Sequence, residues 1–399
     1  MARLVGTISR GIRAPIIREG DDLVSIVVSS LLDASKDPEW GFHFRDRDIV
    51  CLTEAIVARC QGNYATVADI AADVKKKTGG KTVGVVFPIL SRNRFAICLK
   101  GIARGVKKVV LQLSYPADEV GNQLIDLVEV EEKGLDPFKD VLSLEQYRSL
   151  FGERVHRFTG VDYVSYYQEL IKECGAEVEV IFANDPREIL KHTDVVIASD
   201  IHTAPRTKRL LKQAGAKVVL GLDEILNAPV NGSGFNESFG LLGSNKATEF
   251  KVKLFPRDAQ GLVDEIQARL LKETGKNIEV LIYGDGGFKD PVGGIWEFAD
   301  PVVAPFYTKG LEGTPNELKI KYLADNDFKD LNGEELISAI KGKISEKESN
   351  LVGKMASEGT TPRRLTDLIG SLCDLTSGSG DKGTPIVFIQ GYFDNYTAQ

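Results

Sequence analysis

Five short apolar runs, each followed by a helical pattern or a polar turn, occupy the stretch from residue 81 to about residue 230. The runs read TVGVVF, KKVVLQLSY, EVEVIFA, DVVIAS and KVVLGL, and the longest helical pattern lies near residues 143–174. Strands that alternate with helices favour a parallel sheet, because each parallel pair needs a crossover connection. The sequence therefore predicts a doubly wound parallel α/β sheet for residues 81–230.

Ligands of such sheets bind beyond the carboxyl ends of the strands. Here those ends carry polar segments at residues 114–116, 184–185 and 200–202. This rule indicates a face of the sheet and does not identify a chemistry. A dinucleotide-dependent oxidoreductase is one alternative, but the turn after the first run reads PILSRNR and lacks the glycines that bind a pyrophosphate.

The two flanking stretches have a different pattern. Residues 1–80 contain three helical patterns and a short buried strand, whereas residues 231–399 mix strands with a glycine-rich loop and a charged helical region. The clearest boundaries lie near residues 80 and 230. We therefore predict one α+β domain formed by both chain ends (1–80 plus 231–399), split by an inserted α/β domain (81–230).

Charge and hydropathy limit the class of protein. Fifty lysine and arginine residues face 57 aspartate and glutamate residues, which gives a formal net charge of −7. This balance argues against nucleic acid or an anionic membrane as partner, although it allows one local basic pocket. Because no apolar run approaches the roughly 20 residues that span a bilayer and no signal peptide is apparent, we expect a cytoplasmic protein.

Cysteine and histidine do not form a recognisable metal or disulfide pattern. The five cysteines and four histidines are scattered along the chain, without a C-x-x-C pair or a helical histidine pair. Neither a disulfide framework nor a thiolate zinc site is predicted.

Two glycine-containing loops have the composition of phosphate or metal sites. Asp285 follows the apolar strand Ile278–Ile282 and has glycine neighbours, so its carboxylate is suited to a divalent ion. An ordinary Asp-Gly turn is the alternative. Gly378, Gly380 and Gly383 have the spacing G-x-G-x-x-G, but a strand follows where a dinucleotide fold needs a helix. Their N–H groups can still form an anion nest, and a flexible hairpin entry is the alternative.

Several segments, taken in order, resemble the family of coenzyme F-420-0:L-glutamate (gamma-glutamyl) ligases. The segments are RAPIIREGDDL (13–23), DIVCLTEAIVARCQG (48–62), FGLLGSN (239–245), VLIYGDGG (280–287) and GSGDKGTPIVFIQG (378–391). All of them lie outside residues 81–230, a stretch that a typical family member lacks.

The resemblance implies a dimeric amide ligase that uses GTP and a divalent metal, Mg²⁺ or Mn²⁺. A carboxylated acceptor would be phosphorylated, and the amine of L-glutamate would attack the acyl phosphate. The family's catalytic metal aspartate falls on Asp285, and its basic nucleotide contact falls on Arg59. The full set of implied nucleotide contacts is Ala14, Pro15, Ile16, Ile17, Glu54, Arg59, Asn245, Gly378, Ser379, Gly380 and Gly383.

Some positions depart from the family's pattern. Leu242 and Ser379 stand where the family has acids, and Glu54 stands where it has a small polar residue. A triphosphate with two metal ions needs several carboxylates, so Glu237 or Asp381 would have to complete the metal site. A scaffold that binds a nucleotide or a small acid without turnover is therefore a further alternative.

Residues 81–230 would recognise the acceptor. Their basic side chains suit a carboxylated or phosphorylated molecule, and a solvated helix face is the alternative. These residues are Arg92, Arg94, Lys100, Arg104, Arg206, Lys208 and Arg209.

Overall fold

A computed structural model describes residues 4–157, 159–284, 304–358, 363–377 and 381–398, with two short strands at 288–289 and 296–297. The strands are β1 Ile8–Ile12, β2 Ile49–Thr53, β3 Tyr64–Thr66, β4 Thr82–Val86, β5 Lys108–Leu113, β6 Leu142–Ser143, β7 Glu177–Phe182, β8 Val195–Ala198, β9 Val218–Gly221, β10 Asn245–Thr248, β11 Lys251–Lys253, β12 Glu279–Tyr283, β13 Phe288–Lys289, β14 Trp296–Glu297, β15 Phe306–Tyr307 and β16 Ile386–Gln390.

Helices connect most of these strands. The α-helices are α1 Leu23–Ser35, α2 Glu54–Cys60, α3 Val67–Thr78, α4 Phe95–Arg104, α5 Leu127–Glu132, α6 Leu144–Phe151, α7 Tyr163–Glu173, α8 Ala204–Gln213, α9 Gln260–Thr274, α10 Ile320–Tyr322, α11 Gly333–Ser345 and α12 Leu365–Ser377. Short 3-10 helices lie at Pro186–Lys191, Leu222–Glu224, Lys309–Leu311 and Met355–Ser357, and a π-helical turn lies at Leu323–Asp327.

The predicted parallel sheet is confirmed. It has the strand order β6-β7-β5-β4-β8-β9, and all neighbours pair in parallel except the short edge strand β6. Successive residues of a strand face opposite sides of the sheet. Val83 and Val85 of β4 pack into the core that contains α4 and α7, whereas Val86 packs with Ile189 and Leu211. Helical elements therefore cover both faces.

The long helical pattern near residues 143–174 is two helices, so the expectation of one stretch was wrong. Gly152 follows α6 with a φ of 67°, a left-handed conformation that ends the helix. The Asp162 carboxylate then accepts hydrogen bonds from the N–H groups of the first turn of α7. A glycine stop and an aspartate start separate the two elements.

A second, five-stranded sheet contains strands from both ends of the chain, in the order β1-β16-β2-β12-β15. Its two faces also belong to separate cores. Val50 and Leu52 pack in the core that contains α1 and α9, and Cys51 packs with Ile369 and Cys373 of α12. This sheet carries most of the segments that resemble the ligase family.

A three-stranded sheet, β10-β11-β3, lies beside the parallel sheet. Ala65 of β3, Ile70 of α3 and Val252 of β11 belong to the same hydrophobic core as the parallel strands. The parallel sheet therefore packs against segments from both sides of residues 81–230, and the domain boundaries near 80 and 230 stay a prediction.

Within the described ranges, every helix is too short or too polar to cross a bilayer.

Candidate active site

Four chain segments meet at one edge of the five-stranded sheet. β2 and β12 are parallel, so Thr53 lies opposite Tyr283 at their carboxyl ends. β16 runs the other way, and its first residue, Ile386, lies opposite Leu52. Ile12, the last residue of β1, lies opposite Ile386. The loop after β1, helix α2, the segment after β12 and the loop before β16 therefore start or end at the same edge.

The loop after β1 contacts the loop before β16. The Ala14 N–H donates to the Gly383 carbonyl at 3.4 Å. The two segments also approach closely at Gly11, where an added Cβ would lie 2.9 Å from the Thr384 Cβ. Within the first loop Ile17 is buried. The structure thus brings together Ala14 and Gly383, which the sequence assigns to two separate nucleotide loops.

The other residues of the first loop point largely to solvent. Pro15 is exposed, and Ile16 is 81% exposed. An exposed loop of this kind can offer backbone groups to a ligand.

A buried hydrogen bond joins the end of β12 to the end of α12. The Tyr283 and Ser377 hydroxyl oxygens are 2.8 Å apart. Burial is the main reason that the pKa of the Tyr283 phenol is raised above its ordinary value. These two residues closely precede the metal and phosphate candidates. The candidates Asp285, Gly378, Ser379 and Gly380 lie outside the described residues.

A buried ion pair links helix α2 to the three-stranded sheet. The Lys253 ammonium donates to the Glu54 carboxylate, and their side chains are only 11% and 3% exposed. Lys253 is also the register partner of Asn245. Two predicted nucleotide contacts, Glu54 and Asn245, therefore both neighbour one lysine. Glu54 contacts this lysine directly, which gives its carboxylate a structural partner.

Lys253 was absent from the sequence-based candidates. A lysine in a strand is rarely buried unless it is paired, so its burial is informative. The sequence of β11 alone does not reveal which face of the strand is buried.

The remaining site candidates are surface residues. Arg59 is exposed in the last turn of α2, and Glu237 and Asp381 are also exposed. Among the residues that the structure describes, no group of three or more His, Cys, Asp or Glu side chains could hold a metal ion. These residues do not form a metal site by themselves, and the metal roles of Asp285 and Glu237 stay predictions.

At the carboxyl edge of the parallel sheet, the loop after β5 bridges the ends of β4 and β8. The Glu119 carboxylate accepts hydrogen bonds from the N–H groups of residues 201–203 and from the Thr203 hydroxyl. The Asp118 carboxylate accepts from the Leu90 N–H at 2.8 Å. A protein carboxylate therefore already occupies the start of α8, where a phosphate would otherwise find N–H donors.

The loop that carries Asp118 and Glu119 affects the pKa of Glu119 and the kind of ligand that this edge can bind. Burial, followed by the charge of Asp200, raises the pKa of Glu119 to about 7 against hydrogen bonds that lower it. The loop after β4 has no glycine. Together, these features disfavour the dinucleotide-dependent oxidoreductase, because its pyrophosphate needs a close backbone approach at such loops.

Arg206 and Arg209 are exposed on α8, and the other five basic candidates of the parallel-sheet region fall into two groups. Lys100 and Lys208 form ion pairs with nearby carboxylates. The Arg104 guanidinium lies over an aromatic ring, with its Cζ 5.6 Å from the centroid. Arg92 and Arg94, by contrast, line a cavity.

The sequence matches a family model over nearly its whole length. The model is described as F420-0:Gamma-glutamyl ligase, and the match spans residues 11–391. It includes the loops that meet at the edge of the five-stranded sheet and also the stretch 81–230. No curated protein matches the sequence.

Proposed function

Because the chain belongs to the F420-0:gamma-glutamyl ligase family, which supports an amino-acid ligase role, we propose that it joins L-glutamate or a similar amino acid to a carboxylated acceptor. GTP drives the reaction through an acyl phosphate, Mg²⁺ or Mn²⁺ is required, and the enzyme acts in the cytoplasm as a homodimer.

The convergence of loops at the edge of the five-stranded sheet is the observation that carries this proposal. The contact between Ala14 and Gly383 joins the first loop to the last one. The hydrogen bond between Tyr283 and Ser377 joins the strand that precedes Asp285 to the helix that precedes this last loop. Segments far apart in the sequence thus lie together at one edge of the five-stranded sheet, which supports a binding site for a large nucleotide.

The chemistry begins with a poor electrophile, because a free carboxylate would have to expel oxide. In the first step an acceptor carboxylate oxygen bonds to the γ-phosphorus of GTP. The bond from that phosphorus to the β–γ bridging oxygen breaks, and GDP leaves. In the second step the glutamate amine attacks the acyl carbon and loses a proton. The acyl carbon–oxygen bond then breaks and orthophosphate leaves. Both steps depend mainly on charge neutralisation and positioning.

In this reaction the chain's own residues bind and orient the triphosphate. The loop 378–383 offers N–H groups to the phosphate oxygens, and the Arg59 guanidinium adds charge-assisted hydrogen bonds. Loop 13–17 supplies backbone contacts, and Asn245 contacts the nucleotide. A divalent ion held by Asp285 with Glu237 would offset the triphosphate charge. The described residues do not form a metal site by themselves.

The test uses purified full-length chain, GTP, Mn²⁺, L-glutamate and F420-0, the acceptor in the family's description. We expect orthophosphate release that requires both glutamate and acceptor. With acceptor labelled by ¹⁸O in its carboxylate, one label should appear in the orthophosphate, since the acyl phosphate transfers that oxygen. Product formation with unlabelled orthophosphate would exclude the acyl phosphate, and failure of GTP to bind, with or without metal, would exclude the nucleotide role.

Measurements of GTP binding and turnover also separate the alternative functions. Tight GTP binding with no turnover for any acceptor would identify a scaffold that binds without catalysis. A change in NADH fluorescence on mixing would instead support the oxidoreductase. Substitution of Asp285 by alanine tests the metal role alone, because intact activity in that variant would remove it.

A further inference from the structure

A cavity of about 950 Å³ lies at the carboxyl end of β4. It shares no described residue with the predicted nucleotide contacts. Its described lining includes three basic side chains and no aspartate or glutamate, although the whole chain is acidic with a charge of −7. The chemically informative lining residues are Arg92, Arg94, His156, Tyr163, Tyr166 and Lys246.

The loop that carries Arg92 is held in place by hydrogen bonds from two sides. The Tyr167 hydroxyl donates to the Ile89 carbonyl at 2.7 Å and accepts from the Ser91 N–H at 2.8 Å. The Asp118 carboxylate fixes Leu90 between them. Because Tyr167 is fully buried, this loop is preorganised, and less ordering free energy is lost when a ligand binds.

Arg92 differs from Arg94 and Lys246, the two other basic residues that line the cavity. Its side chain is exposed, and none of the hydrogen bonds or ion pairs found among the described residues involves its guanidinium. Lys246 reaches the same cavity because its N–H donates to the Asn93 carbonyl at 2.7 Å. Its ammonium pairs with Glu249, which offsets part of its charge. Arg92 therefore supplies the most available positive charge.

The cavity lining also contains an imidazole ring and two phenol rings. His156 Nδ1 accepts a hydrogen bond from the Thr159 N–H at 3.3 Å. The Tyr163 ring packs edge-on against His156, with centroids 5.9 Å apart. Aromatic rings of this kind suit the neutral part of a small molecule.

We propose that this cavity binds a small organic anion that carries at least two phosphate or carboxylate groups. Several cationic side chains without a lining acid favour more than one negative group, and arginine binds either kind in a bidentate manner. The volume lies within the range of small-molecule sites, about 300–1,000 Å³. Binding at this cavity does not depend on the ligase reaction.

The experiment is calorimetric titration of the full-length chain with inorganic pyrophosphate and, separately, with citrate. Nucleotide, glutamate and divalent metal are omitted, so the result is independent of ligation. We expect at least one probe to bind and its affinity to fall as salt is raised. Arg92→Gln should weaken that binding about tenfold, as expected for the loss of a charge-assisted hydrogen bond. Loss of pyrophosphate binding alone identifies a phosphate ligand, and loss of citrate binding alone identifies a polycarboxylate.

Two control variants make the result specific. Arg209→Gln removes the same charge from an exposed site on α8, and we expect it to leave the affinity unchanged. Arg59→Gln reports any pyrophosphate that binds at the candidate active site, and we expect it to leave unchanged the binding that Arg92→Gln weakens. An equal loss in Arg209→Gln, or a loss in Arg59→Gln with none in Arg92→Gln, would overturn the proposal. So would the failure of both probes to bind.

Discussion

The hydroxyl groups of Tyr283 and Ser377, 94 residues apart in sequence, share a buried hydrogen bond of 2.8 Å. Tyr283 ends β12 and Ser377 ends α12. The bond therefore fixes the relative position of two elements, each of which leads into a segment with a predicted role in binding the triphosphate. If the triphosphate binds between these two segments, its binding depends on the relative position of β12 and α12.

Removing that bond should affect both stability and nucleotide binding. We expect Tyr283→Phe to lower the free energy of unfolding by about 1–2 kcal/mol, because the Ser377 hydroxyl loses its partner in a buried place. Urea denaturation measures this loss, and titration with GTP measures the binding. Tyr322→Phe, on α10, is the matched control. A Tyr283→Phe variant with wild-type stability would show that the bond has no net value.

The pair Glu54–Lys253 makes a prediction about buried charge. Glu54→Gln leaves the Lys253 ammonium buried without its counter-charge, and we expect a loss of about 3–5 kcal/mol in urea denaturation. Adding Lys253→Met removes the stranded charge, so the double variant should recover most of that stability. If the double variant is no more stable than Glu54→Gln, the pair is not the source of the effect.

Two helical glycines should respond to alanine in opposite directions. At Gly101 of α4 an added Cβ would lie 2.4 Å from the Ile70 Cγ2 of α3, whereas at Gly342 of α11 nothing lies within 4 Å. We expect Gly101→Ala to destabilise the protein by about 1–3 kcal/mol through overpacking. Gly342→Ala should stabilise it by about 0.5–1 kcal/mol through helix propensity. If both variants change the free energy of unfolding equally in thermal or urea unfolding, α3 and α4 are not tightly packed at Gly101.

Glu119 should make stability depend on pH. Its pKa is raised by burial from 4.5 to about 7 in the folded chain, so the folded state retains a proton that the unfolded state has already lost. The stabilisation is complete below pH 4.5 and is lost as the pH rises through 7. Glu119→Gln should remove up to about 3 kcal/mol of this decline. Urea denaturation from pH 5 to 8 tests it.

The control for that experiment is Glu132→Gln, which alters an exposed carboxylate on α5. This variant should keep the wild-type pH profile. Parallel profiles for the wild type and Glu119→Gln would show that Glu119 does not retain its proton in the folded chain.

The order and type of the main elements were predictable from the sequence because the local signals agree. Helix α2, at Glu54–Cys60, is one of the helices that the pattern of residues 1–80 predicts, and the parallel strands follow the apolar runs. The prediction of one helical stretch near 143–174 was wrong because both halves have a high helix propensity. The stop at Gly152 and the start at Asp162 were therefore overlooked. The family resemblance is confirmed by a match over residues 11–391.

The site was only partly predictable, because its contacts join residues distant in sequence. The pairing of Ala14 with Gly383 follows from strand register, which β1 and β16 do not reveal separately. The Glu54–Lys253 pair depends on which face of a three-residue strand is buried. Arg92 and Lys100 belong to the same basic pattern in the sequence. Only the tertiary structure shows that Lys100 forms an ion pair whereas Arg92 lines a cavity.

The position of β16 between β1 and β2 has a consequence for synthesis on the ribosome. This late strand lies between β1 and β2, and β1 has no other neighbour among the described strands. β1 therefore cannot pair until residues 386–390 have emerged from the ribosome. By then β4 to β9 have long been available to pair with one another. One half of the molecule can fold during translation, while the edge with the proposed catalytic role assembles only at the end. A product truncated before β16 would retain the parallel sheet but would not form that edge.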